Sequence, residues 1–182
     1  ICLCISFSSN TLLKAQQAFK KQFTTQEGLV SNTVYSVCQG QTGFIWFGTD
    51  KGLSRFNGKE MVNFTTLDGL SDNDVLDFFL DSRGRLWFHT YNGIPCFYKD
   101  GVFHNPSNTE FLEGIQFNHY ISSIVETKDS NLYISSFRGD LIRIDANDSV
   151  ISIANINKEE HHTNNQVWLK GNVLYGAANG TN

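Results

Sequence analysis

The stretch 23–29 reads FTTQEGL and the stretch 64–70 reads FTTLDGL, a separation of 64 − 23 = 41 residues. The same step carries Val34 to Val75, Trp46 to Trp87, Gly52 to Gly93 and Phe56 to Phe97. Columns that recur at a fixed step of forty-odd residues mean that one supersecondary unit is stacked several times. A third unit, YISSIVETKDSNLYISSFRGDLIRIDANDSVISI, puts Tyr133 in the Trp column and Gly139 in the Gly52 column. Trp87 and Tyr133 are 133 − 87 = 46 residues apart, so 46 − 41 = 5 residues are inserted, within HNPSNTEFLEGIQFNH. A fourth unit opens at NNQVWLKGNVLYGAANG, where Gly176 and Gly180 match Gly48 and Gly52.

Each unit has one grammar. An apolar-rich stretch comes first, then a Gly-containing polar turn, then FIWFGT, DKG, LSRF, NGK and MVNF in the first copy. These are short strands joined by hairpin-length turns. Four antiparallel strands repeated in this way make the blade of a β-propeller, so the expected fold is all-β. The division follows the repeat. Residues 1–16 are a truncated signal peptide, 17–28 an outer strand for a ring-closing blade, 29–68 blade 1 and 69–116 blade 2 with its insertion. Blade 3 takes 117–157 and a partial fourth blade 158–182. A strand supplied by one end of the chain to a blade made by the other end removes the sheet edges of the ring. The early FTT phrase is read in that way, and a piece with three and a partial blades is expected to fold poorly alone, with an edge at each end.

Composition agrees. Fifteen Phe, six Tyr and three Trp against one Met and two Pro suit half-buried pleated surfaces. The net charge is −4 with no long run of one sign, which argues against a nucleic-acid partner. The opening ICLCISFSSNTLLKAQQAF resembles the back half of a secretory signal peptide, cleaved near Ala15 or Gln16. No run of 18 apolar residues is present, so any membrane association would come through a downstream segment. Cys38 and Cys96 would remain after cleavage and read as small buried thiols.

The two units GLVSNTVYSVCQGQTGFIWFGTDKGLSRFNGK and GLSDNDVLDFFLDSRGRLWFHTYNGI resemble the two-component regulator propeller repeat. Its pattern is Gly-Leu, a polar turn, an apolar strand, Asp-x-x-Gly, then Ile/Leu-Trp-Phe-Gly-Thr, two residues and Gly-Leu. The third unit keeps the skeleton with LYISSFRGDL, and Gln39-Gly40-Gln41 departs from the acidic turn that the second unit keeps in LDSRGR. The resemblance implies a periplasmic or otherwise extracytoplasmic sensor propeller, commonly followed by a triple-tyrosine domain, a spanning helix and a cytoplasmic histidine kinase. It also implies an oligosaccharide or another small extracellular ligand, and a homodimer in the full-length protein. A diguanylate cyclase output, a secreted or surface scaffold without a kinase, and a propeller enzyme acting on glycans are the other readings.

Chemistry-bearing motifs are few. His161 and His162 are adjacent and have no suitably spaced third ligand, so they read as a solvated loop. His89, His104 and His119 are scattered singly and carry no expected ligand role. There is no phosphate-binding glycine loop, no nucleophile elbow and no defensible catalytic pair, so neither catalysis, a cofactor nor a metal is expected of this segment. Trp46 and Trp87 recur at one column, which fits blade-to-blade packing better than a single ligand contact. Gly52, Gly93 and Gly139, with Gly43 and Gly84, read as turn glycines. Strand parity puts the blade-to-blade loops and the middle turns on one face. The expected ligand contacts there are Asn32, Asp50, Lys51, Asn73, Tyr91, Asn92, Tyr120, Phe137 and Arg138, with Tyr91 and Phe137 as stacking rings and Asn92 and Arg138 as donors.

Overall fold

The computed structural model describes residues 21–153 and, as backbone strands, 165–170 and 173–178. The first blade is β1 (Val34–Gln39), β2 (Ile45–Thr49), β3 (Gly52–Phe56) and β4 (Met61–Phe64). The second is β5 (Val75–Leu80), β6 (Leu86–Thr90), β7 (Cys96–Lys99) and β8 (Val102–His104). The third is β9 (Ile121–Glu126), β10 (Leu132–Ser136), β11 (Leu141–Ile144) and β12 (Val150–Ile153). β13 (Asn165–Lys170) and β14 (Val173–Ala178) pair as a further hairpin. Each of the three four-stranded sheets is a meander with strands in chain order and antiparallel neighbours. The molecule is all-β, a β-propeller built from four-stranded antiparallel blades.

The repeat extends below the level of strands. A bulge falls between Val34 and Ser36, between Val75 and Asp77, and opposite Ser135 and Ser136 in the third blade. It lies at the same end of each first-to-second-strand ladder, where an extra residue kinks the strand and raises its twist.

The core lies between blades rather than within them. Trp46 of β2 is 2% exposed and shares a cluster with Val75, Leu86, Phe88, Cys96 and Phe103 of the second blade. Trp87 is fully buried and shares the next cluster with Ile121, Ile124, Leu132 and Ile134 of the third. Two flat sheets pack face to face only if large side chains fill the gap, and a ring at a fixed column fills the same gap at every seam. Close approach is set by glycine. At Gly48 a Cβ would come within 2.6 Å of the Val75 carbonyl oxygen on the neighbouring blade.

The FTT phrase has a local role in both copies. Thr24 and Thr65 each cap a 3-10 turn, with Glu27 and Asp68 returning a carboxylate to the cap backbone, a reciprocal capping box. Gly28 and Gly69 end those turns at φ 101° and 105°, a left-handed conformation that suits glycine. In both copies the glycine then lies against the outer strand of the next blade, Gly28 on Met61 and Gly69 on Phe103. Residues 21–24 carry no strand, and Phe23 instead packs on Phe47 and Phe56 at ring distances of 5.2 and 5.0 Å. Residues 17–20, the signal-peptide reading at 1–16 and the His161-His162 loop lie outside the described residues.

The five-residue insertion is an apolar plug. Its 3-10 turn Glu110–Leu112 fully buries Leu112, and Leu112 and Phe117 join the core between the second and third blades.

Candidate functional site

One end of the blades gathers the loops that join them to the turns in their middle. Gly52 N donates to Asn73 O at 2.7 Å, Tyr91 N to Asp74 O at 3.1 Å, Phe117 N to Gly93 O at 3.1 Å and Phe137 N to Tyr120 O at 3.0 Å. Each middle turn is therefore bonded to a blade-to-blade loop, which makes a continuous rim.

At the seam between the second and third blades the rim is aromatic. Tyr91 stacks on Tyr120 with ring centroids 6.0 Å apart and planes 14° apart, and Tyr120 stacks on Phe137 at 4.8 Å and 28°. His119 fits against all three rings, at 6.4, 4.8 and 5.1 Å. Tyr91 is 57% exposed, so the run of rings opens to solvent. Burial, and then the neighbouring Tyr91, push the Tyr120 phenol up from its ordinary value, so it stays a hydrogen-bond donor at neutral pH. The Nδ1 of His119 is buried and has no hydrogen-bond partner among the described residues. Arg138 stands exposed beside Phe137.

At the seam between the first and second blades the rim is acidic. Asp50, Asp72 and Asp74 lie close enough that burial and then the charges of Asp72 and Asp50 raise the Asp74 pKa, against the hydrogen bond from Tyr35. The Tyr35 phenol is raised in turn, by burial first and then by Asp74 and Asp50. Asp50 Oδ1 is buried without a hydrogen-bond partner, and Lys51 beside it is exposed. No group of three or more His, Cys, Asp or Glu side chains among the described residues is arranged to hold a metal.

The nine expected contact residues thus divide. Tyr91, Tyr120, Phe137 and Arg138 share the aromatic seam, and Asp50 and Lys51 share the acidic one. Asn32 and Asn73 lie on the same rim, but both side chains are engaged: their Oδ1 atoms accept from Thr25 N at 2.8 Å and Thr66 N at 2.9 Å. The Asn92 amide donates to Ser71 O at 2.6 Å and accepts from Ile94 N at 2.9 Å, which leaves it a loop brace. His119 is the participant that reading single residues misses. Its signal was its place next to Tyr120 in the inserted loop.

The glycines at the turns have left-handed backbones, Gly52 at φ 123°, Gly93 at 74° and Gly139 at 89°. Neither Trp46 nor Trp87 opens to the rim, since both are buried in seams. Cys38 and Cys96 are free thiols, each pushed up to about 12 by burial, and so are poor nucleophiles.

A family model described as "Two component regulator propeller" matches residues 28–51 and 69–92, the first parts of the first two units. No curated protein matches. Among solved structures, the chain is similar to one described as the extracellular domain of the hybrid two component system BT3049 from B. thetaiotaomicron. The two share 19% identity and a TM-score of 0.55 over 84% of this chain and 21% of that one. A second, the extracellular domain of BT4673 from the same organism, shares 13% identity and a TM-score of 0.44 over 76% of this chain and 26% of that one. The chain thus spans about a fifth to a quarter of the length of these structures. The first two units, with their 41-residue step, recurring Gly-Leu caps and seam tryptophans, thus carry the two-component regulator propeller repeat.

Proposed function

We propose that this chain is part of the extracytoplasmic sensor propeller of a two-component sensor histidine kinase, and that it binds an oligosaccharide at the aromatic rim. The observation that carries this reading is the run Tyr91–Tyr120–Phe137, three near-parallel rings beside the exposed Arg138 on the loop-rich end of a rigid scaffold. Faces of aromatic rings take the apolar C–H faces of sugars, and phenol hydroxyls, His119 and Arg138 supply partners for sugar hydroxyls. The family, and the descriptions of the similar structures as extracellular domains of hybrid two-component systems, support the placement outside the cytoplasm. Catalysis is assigned to no residue of this segment. Kinase chemistry would lie in another part of the parent protein, which acts as a homodimer whose subunit packing the ligand biases.

Calorimetric titration of the purified protein with a panel of oligosaccharides tests the binding claim. A sugar that binds wild type is expected to bind Tyr91→Ala about tenfold more weakly or worse. Tyr91 is largely solvent-exposed, so the melting temperature should change little. A folded protein that binds no sugar in the panel, or binds one equally well without Tyr91, overturns it. The signalling claim is tested separately by sugar-dependent phosphotransfer in the full parent protein.

A further inference from the structure

At the opposite end of the blades, three turns use one device. In the β5–β6 turn, Asp81 Oδ1 accepts from Arg83 N at 3.0 Å and from Arg85 N at 2.8 Å, while Oδ2 accepts from Trp87 Nε1 at 2.9 Å. In the β11–β12 turn, Asp145 Oδ1 accepts from Asn147 N at 2.8 Å and Ser149 N at 2.9 Å. In the β3–β4 turn, Asn57 Oδ1 accepts from Lys59 N at 2.9 Å and Glu60 N at 2.8 Å.

The β1–β2 turn has the same backbone and a different side chain. Gly40 N donates to Phe44 O at 2.9 Å and Gly43 N to Gly40 O at 3.0 Å. These match Asp81 N to Arg85 O and Gly84 N to Asp81 O, both at 3.0 Å. The 41-residue step places Gly40 in the Asp81 column. Three of the four donors that meet the Asp81 carboxylate therefore have counterparts in Thr42 N, Phe44 N and Trp46 Nε1; the fourth, Arg85 Nε, has none, because Phe44 stands in the Arg85 column. None of the three has an acceptor among the described residues. Trp46 is nonetheless 2% exposed, and a Cβ at Gly40 would lie 2.9 Å from its Nε1, so the nitrogen edge of the indole borders the space beside Gly40.

That space adjoins a cavity of about 350 Å³ in the seam, lined by Phe44, Trp46, Leu86, Tyr98 and Lys99 among others. Two cations lie near it: the Arg55 guanidinium sits 4.7 Å from the Phe44 ring centroid and donates to the Tyr98 hydroxyl at 2.7 Å, and Lys99 lines the cavity together with Asp100.

We propose that this seam binds a small organic carboxylate with a flat apolar body. The carboxylate accepts from Thr42 N, Phe44 N and Trp46 Nε1, as the Asp81 carboxylate does from the three equivalent donors among its four. The body lies in the cavity against Phe44, Trp46 and Tyr98. A carboxylate held by several N–H donors makes strong charge-assisted bonds, and removing one donor or the charge is costly. The site is distinct from the aromatic rim, which lies at the other end of the strands.

Phenylacetate is the probe, with phenylacetamide as its neutral counterpart, and ¹H–¹⁵N NMR of the purified protein is the readout. Phenylacetate is expected to shift the Trp46 indole signal and the Thr42 and Phe44 amides, with the amide binding about tenfold more weakly or worse. Gly40→Asp brings a Cβ within 2.9 Å of Trp46 Nε1, so the indole must shift to admit it, and in the folded variant the protein carboxylate should abolish the phenylacetate shifts. Should that variant fail to fold, Trp46→Phe removes the indole donor, and binding should weaken about tenfold. Equal binding of acid and amide overturns the proposal. So does an unchanged affinity in a folded variant, or the lack of any shift at these three signals up to about 10 mM, the edge of measurable affinity.

Discussion

Asp81 is the residue on which the second seam depends most. It is buried, it holds Arg85 Nε at 2.5 Å and Trp87 Nε1 at 2.9 Å, and it closes its own turn through two backbone amides. Asp81→Ala leaves the buried Arg85 without its main counter-charge, and the expected loss is about 3 kcal/mol in urea unfolding. His89 acts through pH. Burial lowers its pKa to about 4, against an opposing pull from Asp77. A histidine whose pKa is lower in the folded state than in the unfolded chain binds its proton first when unfolded. Its contribution is therefore complete above about pH 6.5 and is lost as pH falls toward 4. The expected decline over that window is about 3 kcal/mol. His89→Gln should flatten the stability profile there, and denaturant midpoints measured at several pH values check it.

At the scale of elements, the turns are specified by backbone more than by surface chemistry. Gly52 and Gly58 both have positive φ, 123° and 98°, but their surroundings differ. A Cβ at Gly52 would meet the Phe64 carbonyl oxygen at 2.2 Å, whereas nothing lies within 4 Å at Gly58. Gly58→Ala is expected to cost about 1 kcal/mol from left-handed strain alone. Gly52→Ala should cost at least about 3 kcal/mol, because the turn must also part from β4. Paired thermal melts rank the two. The recurring capping loops give a smaller effect: Asn73→Ala removes one bond to Thr66 N, and about 1 kcal/mol should go with it.

Across the whole molecule, stability lies in seams, and the seams are not alike. The second and third blades are joined by Arg83 to Asp148 at 2.7 Å, Arg85 to Asp148 at 2.8 Å and Ser82 to Glu126 at 2.7 Å. The first and second blades meet at the equivalent place through Gly40, Gln41 and Thr42, which cannot form such ion pairs. A double-mutant cycle on Arg83 and Asp148 should give a coupling of about 1 kcal/mol or less, since both side chains are partly exposed, and added salt should shrink it. Zero coupling at low salt would show that the Arg83–Asp148 pair adds nothing to the seam.

The sequence by itself determined the blade. A step of 41 residues with Trp and Gly at fixed columns leaves few architectures, because a repeated unit must bury its ring against the next copy. Strand parity also determined which loops share an end, since an antiparallel meander allows one assignment. Tertiary structure decided which residues at that end are free to act. Asn32, Asn73 and Asn92 look like ligand donors in a string of letters, yet Asn32 and Asn92 use both ends of their amides to brace loops and Asn73 uses its Oδ1. His119 looks solitary, yet the insertion folds it against three rings. Gly40 reads as a departure from an acidic turn, and only the fold shows the three donors that the departure leaves unmatched. Hydrogen-bond satisfaction depends on partners far apart in sequence, and a local pattern carries no record of them.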